Sequence, residues 1–164
     1  MSITLRKIEP EDLPYLYLWE NDKSVWQYGD VHNPISKFDL KQYIESSTAD
    51  IYADRQLRLV IESDGASVGC IDLYDFDPYN KKSAVAIYID KSYRRCGYGR
   101  EALKLLTDYA FQDLDIRLLY AFIAQKNAAS VSLFRSAGFA VVAILRAWLL
   151  GDDALIVEKK SNEG

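Results

Sequence analysis

Residues 2–8 (SITLRKI) alternate polar and apolar positions, which predicts a strand with one solvated face. Glu9, Pro10, Glu11 and Asp12 then supply the acidic first turn that a helix N-terminus favours. A helix over about 10–21 follows, with Leu13, Leu16, Tyr17 and Trp19 as its buried stripe and Pro14 tolerated in the opening turn. Val25 to Asn33 is aromatic and reads as a loop, and a second helix starts near Ser36 with Phe38, Leu40, Tyr43 and Ile44 facing inward. QLRLVIE (56–62) and SVGCIDLYDF (67–76) predict a hairpin about Ser63, Asp64 and Gly65, since Asp-Gly turns join antiparallel strands.

After a DPYNKK turn, SAVAIYI reads as the next strand. The helix beyond Gly97 and Gly99 runs to about Gln112, with Ala102, Leu103, Leu105, Leu106, Tyr109 and Ala110 apolar. RLLYAFIA (117–124) is too continuously apolar for a strand with a solvated face. Asn127 caps NAASVSLFRSA, a short helix stopped by Gly138, and strands over 139–150 and 154–160, joined at Gly151-Asp152-Asp153, close the chain. The order β-α-α-β-β-β-α-β-α-β-β predicts an α+β domain with a mixed sheet over residues 1–164, without repeats or linkers, and with a frayed SNEG tail.

Composition narrows the function classes. At 164 residues and 49% apolar content, with Tyr 12, Phe 6 and Trp 3, the chain can bury a core without disulfide staples. A net charge of −4 argues against a nucleic-acid partner, which calls for a basic face. No apolar run reaches the roughly 20 residues that span a bilayer, and MSITLRKIEP is unlike a signal peptide, so no membrane association and a cytoplasmic location are expected. Cys70 and Cys96 are far apart and His32 is the single histidine, so no metal site is readable and nucleophilic catalysis would depend on one His.

The chemistry concentrates in DKSYRRCGYGREALKLL, from Asp90 to Leu106, where positive charge and glycines sit between a strand and a helix. Gly97 to Ala102 matches the dinucleotide pattern G-x-G-x-x-G/A, but six residues separate the strand from the first glycine and no acidic residue ends the next strand. A P-loop is excluded, because no G-K-[ST] follows. Successive backbone N–H groups at a helix N-terminus make an anion site suited to a pyrophosphate, with Gly97 and Gly99 allowing φ > 0 and close approach and Arg94, Arg95 or Arg100 adding charge. A Gly-rich turn with solvated arginines would leave the same trace.

Read as R-x-x-G-x-G after a strand, Arg94 to Gly99 resembles the acetyl-CoA loop of the GNAT N-acetyltransferases. Asn127 to Phe139 (NAASVSLFRSAGF) is similar to that family's N-x-x-S…G-F segment, one strand later. LRKIEPEDLPYLYLWEND, the Val68 to Ile71 strand and LRAWLLGDDALIV are similar to the branch of ribosomal-protein and spermidine N-acetyltransferases. The resemblance implies the GNAT fold, a mixed sheet of six to seven strands flanked by about four helices, and acetyl-CoA as acetyl donor without a metal. It implies that the backbone of Ile87, Tyr88 and Ile89 pairs with the pantetheine arm like an added strand. Arg94, Arg95, Cys96, Gly97, Tyr98, Gly99 and Arg100 would take the pyrophosphate, and Asn127, Ser130 and Phe134 would lie beside the arm or thiol.

Transfer from a thioester to an amine needs a neutral amine, a stabilised oxyanion and a leaving thiolate. Many relatives carry a Tyr acid where this chain has Phe134, and a Glu base where it has Ala84. Ser130 or Ser132 is then the candidate proton donor and Asp72 the candidate base, with Trp26, Tyr28 and Tyr74 lining the acceptor side. An alkyl amine with pKa near 10.4 is free base in about 1 molecule in 2,500 at pH 7, an α-amine near 7.8 in about 1 in 7, so the acceptor class decides how much a base matters. The expected activity is acetyl transfer to a primary amine, either a protein N-terminal α-amine or a small polyamine-like amine, with a homodimer left open. A non-catalytic acyl-CoA-binding domain is the alternative, and a nucleotide-dependent oxidoreductase rests on G-x-G-x-x-A alone.

Overall fold

The computed structural model describes residues 2–28 and 32–162. Seven strands form one sheet: β1 (Ile3–Lys7), β2 (Leu57–Ser63), β3 (Ala66–Asp77), β4 (Lys82–Ile89), β5 (Leu118–Ala124), β6 (Ala140–Leu149) and β7 (Asp152–Lys160). Their order is β1-β2-β3-β4-β5-β7-β6, antiparallel throughout except for the parallel pair β4–β5. Among the described residues five α-helices accompany it: α1 (Leu13–Glu20), α2 (Lys37–Ser46), α3 (Ile51–Asp54), α4 (Tyr98–Gln112) and α5 (Ala128–Ser136). The architecture is the expected α+β one, with α3 in addition; it is a single turn capped by the Asp50 carboxylate, too short for a periodicity to announce it.

Strand alternation gives the sheet two apolar faces. Ile61, Ile71, Leu73, Val85, Leu119, Ala121 and Val157 pack with Leu103 and Leu106 of α4 and Phe134 of α5 in the main core. On the other face Leu16 and Trp19 of α1 and Leu40 of α2 pack on Cys70, with Tyr88 beside them. Among the described residues this second core takes nothing from β5, β6 or β7. Phe122 is consequently exposed, which corrects the expectation that this strand lacks a solvated face.

Other departures have local causes. The helix expected over 10–21 opens as a 3-10 turn, Pro10–Asp12, before α1. Pro14 has no N–H for the carbonyl of Pro10, which accepts the Leu13 N–H instead. Tyr17 and Phe38 are exposed rather than inward; Tyr17 lies under the Lys37 ammonium, 5.0 Å from its ring centre. Lys23–Tyr28 is a 3-10 turn where a loop was expected, and residues 29–31 of that stretch lie outside the described residues. Gly138 closes α5 as expected: the Phe139 N–H reaches the Phe134 carbonyl and the Gly138 N–H that of Arg135, with φ +90° at the glycine. Among the described residues no helix is long and apolar enough to cross a membrane.

Candidate active site

The parallel pair β4–β5 is registered only from Lys82↔Leu118 to Ala84↔Tyr120, after which the strands part. The Val85–Ile89 stretch keeps its partners on β3, from Leu73↔Val85 to Gly69↔Ile89, but turns its other backbone edge to the gap. Gly69 makes the β3 side tight, since a Cβ there would sit 2.1 Å from the Tyr88 carbonyl oxygen. One free sheet edge inside the molecule is what an extended arm needs to add itself as a strand.

A cavity of about 700 Å³ opens from this gap. Ile87, Tyr88, Ile89, Arg94, Arg95, Gly97, Tyr98, Gly99, Arg100, Asn127 and Ser130 all line it, which brings most of the sequence-predicted cofactor residues onto one surface. Gly97 is the N-cap of α4 at φ +85°, and the free N–H groups of the first turn suit an anion there. Gly99 is helical; its role is close approach, because a Cβ would meet the Leu133 side chain at 3.2 Å. The Asn127 side-chain oxygen Oδ1 accepts the Ser130 N–H, which leaves the side-chain amide nitrogen for a ligand.

Two expected cofactor residues stand apart. Cys96 is exposed on the loop, its thiol turned to the Arg94 carbonyl, and it does not line this cavity. Phe134 is buried in the main core, edge-on to Phe139, because its position on α5 faces the sheet rather than the gap.

A second cavity of about 310 Å³ lies on the other side of β4, with the expected Trp26, Tyr28 and Asp72 in its wall. Val25, Tyr28, Ile87, Tyr88 and Asn127 line both cavities, so the two meet at the middle of the free β4 edge. Tyr74 shares a strand face with Cys70 and Asp72 but lines neither cavity. Ala84 is fully buried between its cross-strand partners Tyr74 and Tyr120, at the end of β4 that pairs with β5, and lines neither cavity.

Asp72 is not a free carboxylate. Arg58, its cross-strand partner, donates to both of its oxygens at 2.8 Å and also pairs with Glu20. Burial opposes the Arg58 charge, yet Asp72 and Glu20 hold the guanidinium well above its usual range. Burial likewise pushes the Cys70 thiol up and keeps it protonated, with the Asp72 charge adding to the effect. Two carboxylates against one guanidinium leave this cavity net negative, beside the aromatic walls of Trp19, Trp26 and Tyr28. Glu20 and Arg58 escaped the sequence reading, although an arginine mid-strand opposite an aspartate was a legible signal.

Asp22, also missed, is buried at the end of α1 and accepts the Tyr88 hydroxyl at 2.6 Å. Lys91 and Arg94 of the glycine loop reach its oxygens at 3.2 and 3.3 Å. Burial would raise the Asp22 pKa, but hydrogen bonds from Ser24, Tyr88 and Lys91 hold it well below the carboxylate range. Burial and the neighbouring Asp22 push the Tyr88 phenol well up.

A free strand edge, a glycine-capped helix and paired cavities are the expected frame for an acyl-CoA, and residues 2–140 match the model of the acetyltransferase (GNAT) domain. The chain belongs to the GNAT acetyltransferase family. Membership makes it an acetyl-CoA-dependent acetyltransferase, in line with the cavity's fit to that donor. This acetyltransferase is 29% identical over 141 residues to spermidine N(1)-acetyltransferase of Escherichia coli K12, covering 85% of this chain and 74% of the relative. A putative ribosomal N-acetyltransferase of Bacillus subtilis, YdaF, is 27% identical over 142 residues, covering 84% and 77%. Among solved structures, spermidine N-acetyltransferase from Vibrio cholerae in complex with CoA and spermine superposes with a TM-score of 0.88 at 20% identity, over 96% of this chain and 95% of the other.

Proposed function

We propose that this acetyltransferase moves the acetyl group of acetyl-CoA to a primary amine of a small polyamine-like acceptor, by direct attack of the amine on the thioester. The meeting of the two cavities on Val25, Tyr28, Ile87, Tyr88 and Asn127 carries the reading, because it lets a donor in one cavity and an acceptor in the other touch at one point. Glu20 and Asp72, outnumbering Arg58, favour a cation in the smaller cavity, and Trp19, Trp26 and Tyr28 offer it aromatic faces. The name of the Escherichia coli relative agrees with a polyamine over a protein N-terminus.

Acetyl-CoA supplies the activated carbonyl. The loop from Arg94 to Arg100 binds the pyrophosphate, the β4 edge at Ile87 to Ile89 aligns the pantetheine, and Asn127 donates to it. A backbone N–H of the same edge polarises the carbonyl oxygen. Ser130, on the wall of the larger cavity, passes a proton to the departing sulfur and recovers one from the attacking ammonium through water; a thiol of pKa about 8.5 needs little help near neutrality. Asp72, held by Arg58, contributes negative charge rather than a free base, and the ammonium proton leaves to water. The reaction is cytoplasmic in this reading, and the protein acts as a homodimer, which sedimentation tests.

Calorimetry with acetyl-CoA, followed by a thiol-release assay with spermidine, tests the activity: micromolar binding with amine-dependent release is expected. Phe134 and Ala84 keep one rival in view, an acyl-CoA-binding domain without turnover, which binds acetyl-CoA and releases no thiol with any amine.

A further inference from the structure

The end of α1 is stitched to the start of the glycine loop through one buried carboxylate. Asp22 accepts the Tyr88 hydroxyl at 2.6 Å, the Ser24 N–H and hydroxyl at 3.0 and 2.6 Å, and the cationic groups of Lys91 and Arg94 at 3.2 and 3.3 Å. A second tie runs parallel to it, from the Trp19 indole N–H to the Asp90 carboxylate at 2.9 Å.

Each partner of Asp22 belongs to a different part of the site. Arg94 lines the larger cavity, its Nε–H fixed on the Ile89 carbonyl at 2.9 Å and its guanidinium over the Tyr88 ring at 5.4 Å. Two of the guanidinium's three nitrogens are thereby fixed, and the remaining one is available to an anion. Tyr88 lines both cavities, so its ring stands where they meet. Ser24 and the following turn carry Val25, Trp26 and Tyr28, which wall the acceptor side. A carboxylate this buried is worth its desolvation only when its donors are all in place, so it fixes them relative to one another.

We propose that Asp22 is a positioning residue that sets Arg94 for the pyrophosphate and Tyr88 for the junction of the two cavities, locking the acceptor wall to the cofactor loop. The inference rests on the acetyl-CoA reading. Asp22 touches neither reacting atom; it acts through Arg94 and Tyr88.

A double-mutant cycle on acetyl-CoA affinity tests it, with Asp22→Asn, Arg94→Ala and the double variant measured by calorimetry well below each melting midpoint. Asp22→Asn alone is expected to weaken binding about tenfold, and to add less than about twofold once Arg94 is gone. Equal weakening in both backgrounds, or tighter binding when the Asp22 charge is removed, overturns the assignment. Should Asp22→Asn fail to fold, Tyr88→Phe in the same cycle removes one donor and keeps the ring, with coupling to Arg94 expected and additivity contrary. If the unmutated protein binds no acetyl-CoA, the proposed function fails and the assignment with it; binding with an additive cycle removes the assignment alone.

Discussion

Phe134 stands edge-on to Phe139, with ring centroids 5.1 Å apart and planes at 86°, at the position where many members of the family carry a tyrosine acid. The ring is 2% exposed and part of the main core. Phe134→Tyr would put a hydroxyl into that core without a partner, at a cost of about 1–3 kcal/mol. Thermal melts should show the loss, and thiol release should show no gain in rate. A faster Tyr variant would mean that position 134 reaches the sulfur after all.

Asp72 and Arg58 share a bidentate contact inside the smaller cavity, proposed above for the acceptor. Asp72→Asn leaves the guanidinium to Glu20 alone and removes one negative charge from the cavity. The amine KM should rise about tenfold, as for a lost hydrogen bond to a charged group, while acetyl-CoA affinity stays unchanged. Steady-state kinetics with each substrate varied in turn separate the two, and equal effects on both would contradict the division of the cavities.

Gly65 and Gly97 both hold positive φ, +81° and +85°. Alanine at either position costs roughly 1–2 kcal/mol of backbone strain. Gly65 sits in a hairpin turn with nothing near its missing Cβ, so Gly65→Ala should lower the melting temperature and leave acetyl-CoA binding intact. Gly97→Ala should do both, because the same strain displaces the N–H groups at the start of α4. Calorimetry on the two variants decides it.

Acid stability should follow Asp22. Its folded pKa is held below the unfolded value of about 3.9, so its contribution is complete above that value and is lost as pH falls through the folded pKa. Asp12 adds to the same window: burial opposes its charge, but Arg6 and the Glu9 N–H hold its pKa down. Asp22→Asn should cost about 1–3 kcal/mol at neutral pH and flatten the decline of the melting temperature between about pH 5 and pH 2. An unchanged slope would mean that Asp22 is not held as a buried anion.

Most of the fold was legible because strand alternation and turn chemistry are local: the Asp64-Gly65 hairpin, the Asn127 cap and the Gly138 stop all stand where the residues put them. Most of the residues expected at the cofactor line one cavity for the same reason, since a glycine loop and the strand before it are contiguous in sequence. The smaller cavity was legible only in Trp26, Tyr28 and Asp72. Arg58 meets Asp72 through sheet register and Glu20 only through the packing of α1 on the sheet, and Asp22 finds Tyr88 and Arg94 across more than sixty positions of chain. Phe134 lies in the core, the other role its apolar ring allowed, because a motif gives order along the chain and not which side of a helix is buried.

Release of free thiol from acetyl-CoA with a panel of primary amines, followed between about pH 7 and pH 10, tests the proposed reaction most directly. Spermidine and related polyamines should drive release, at a rate that climbs beyond pH 9 because Asp72 is committed to Arg58 and the amine must arrive as free base. Micromolar acetyl-CoA binding with no thiol release from any amine across that range would contradict it.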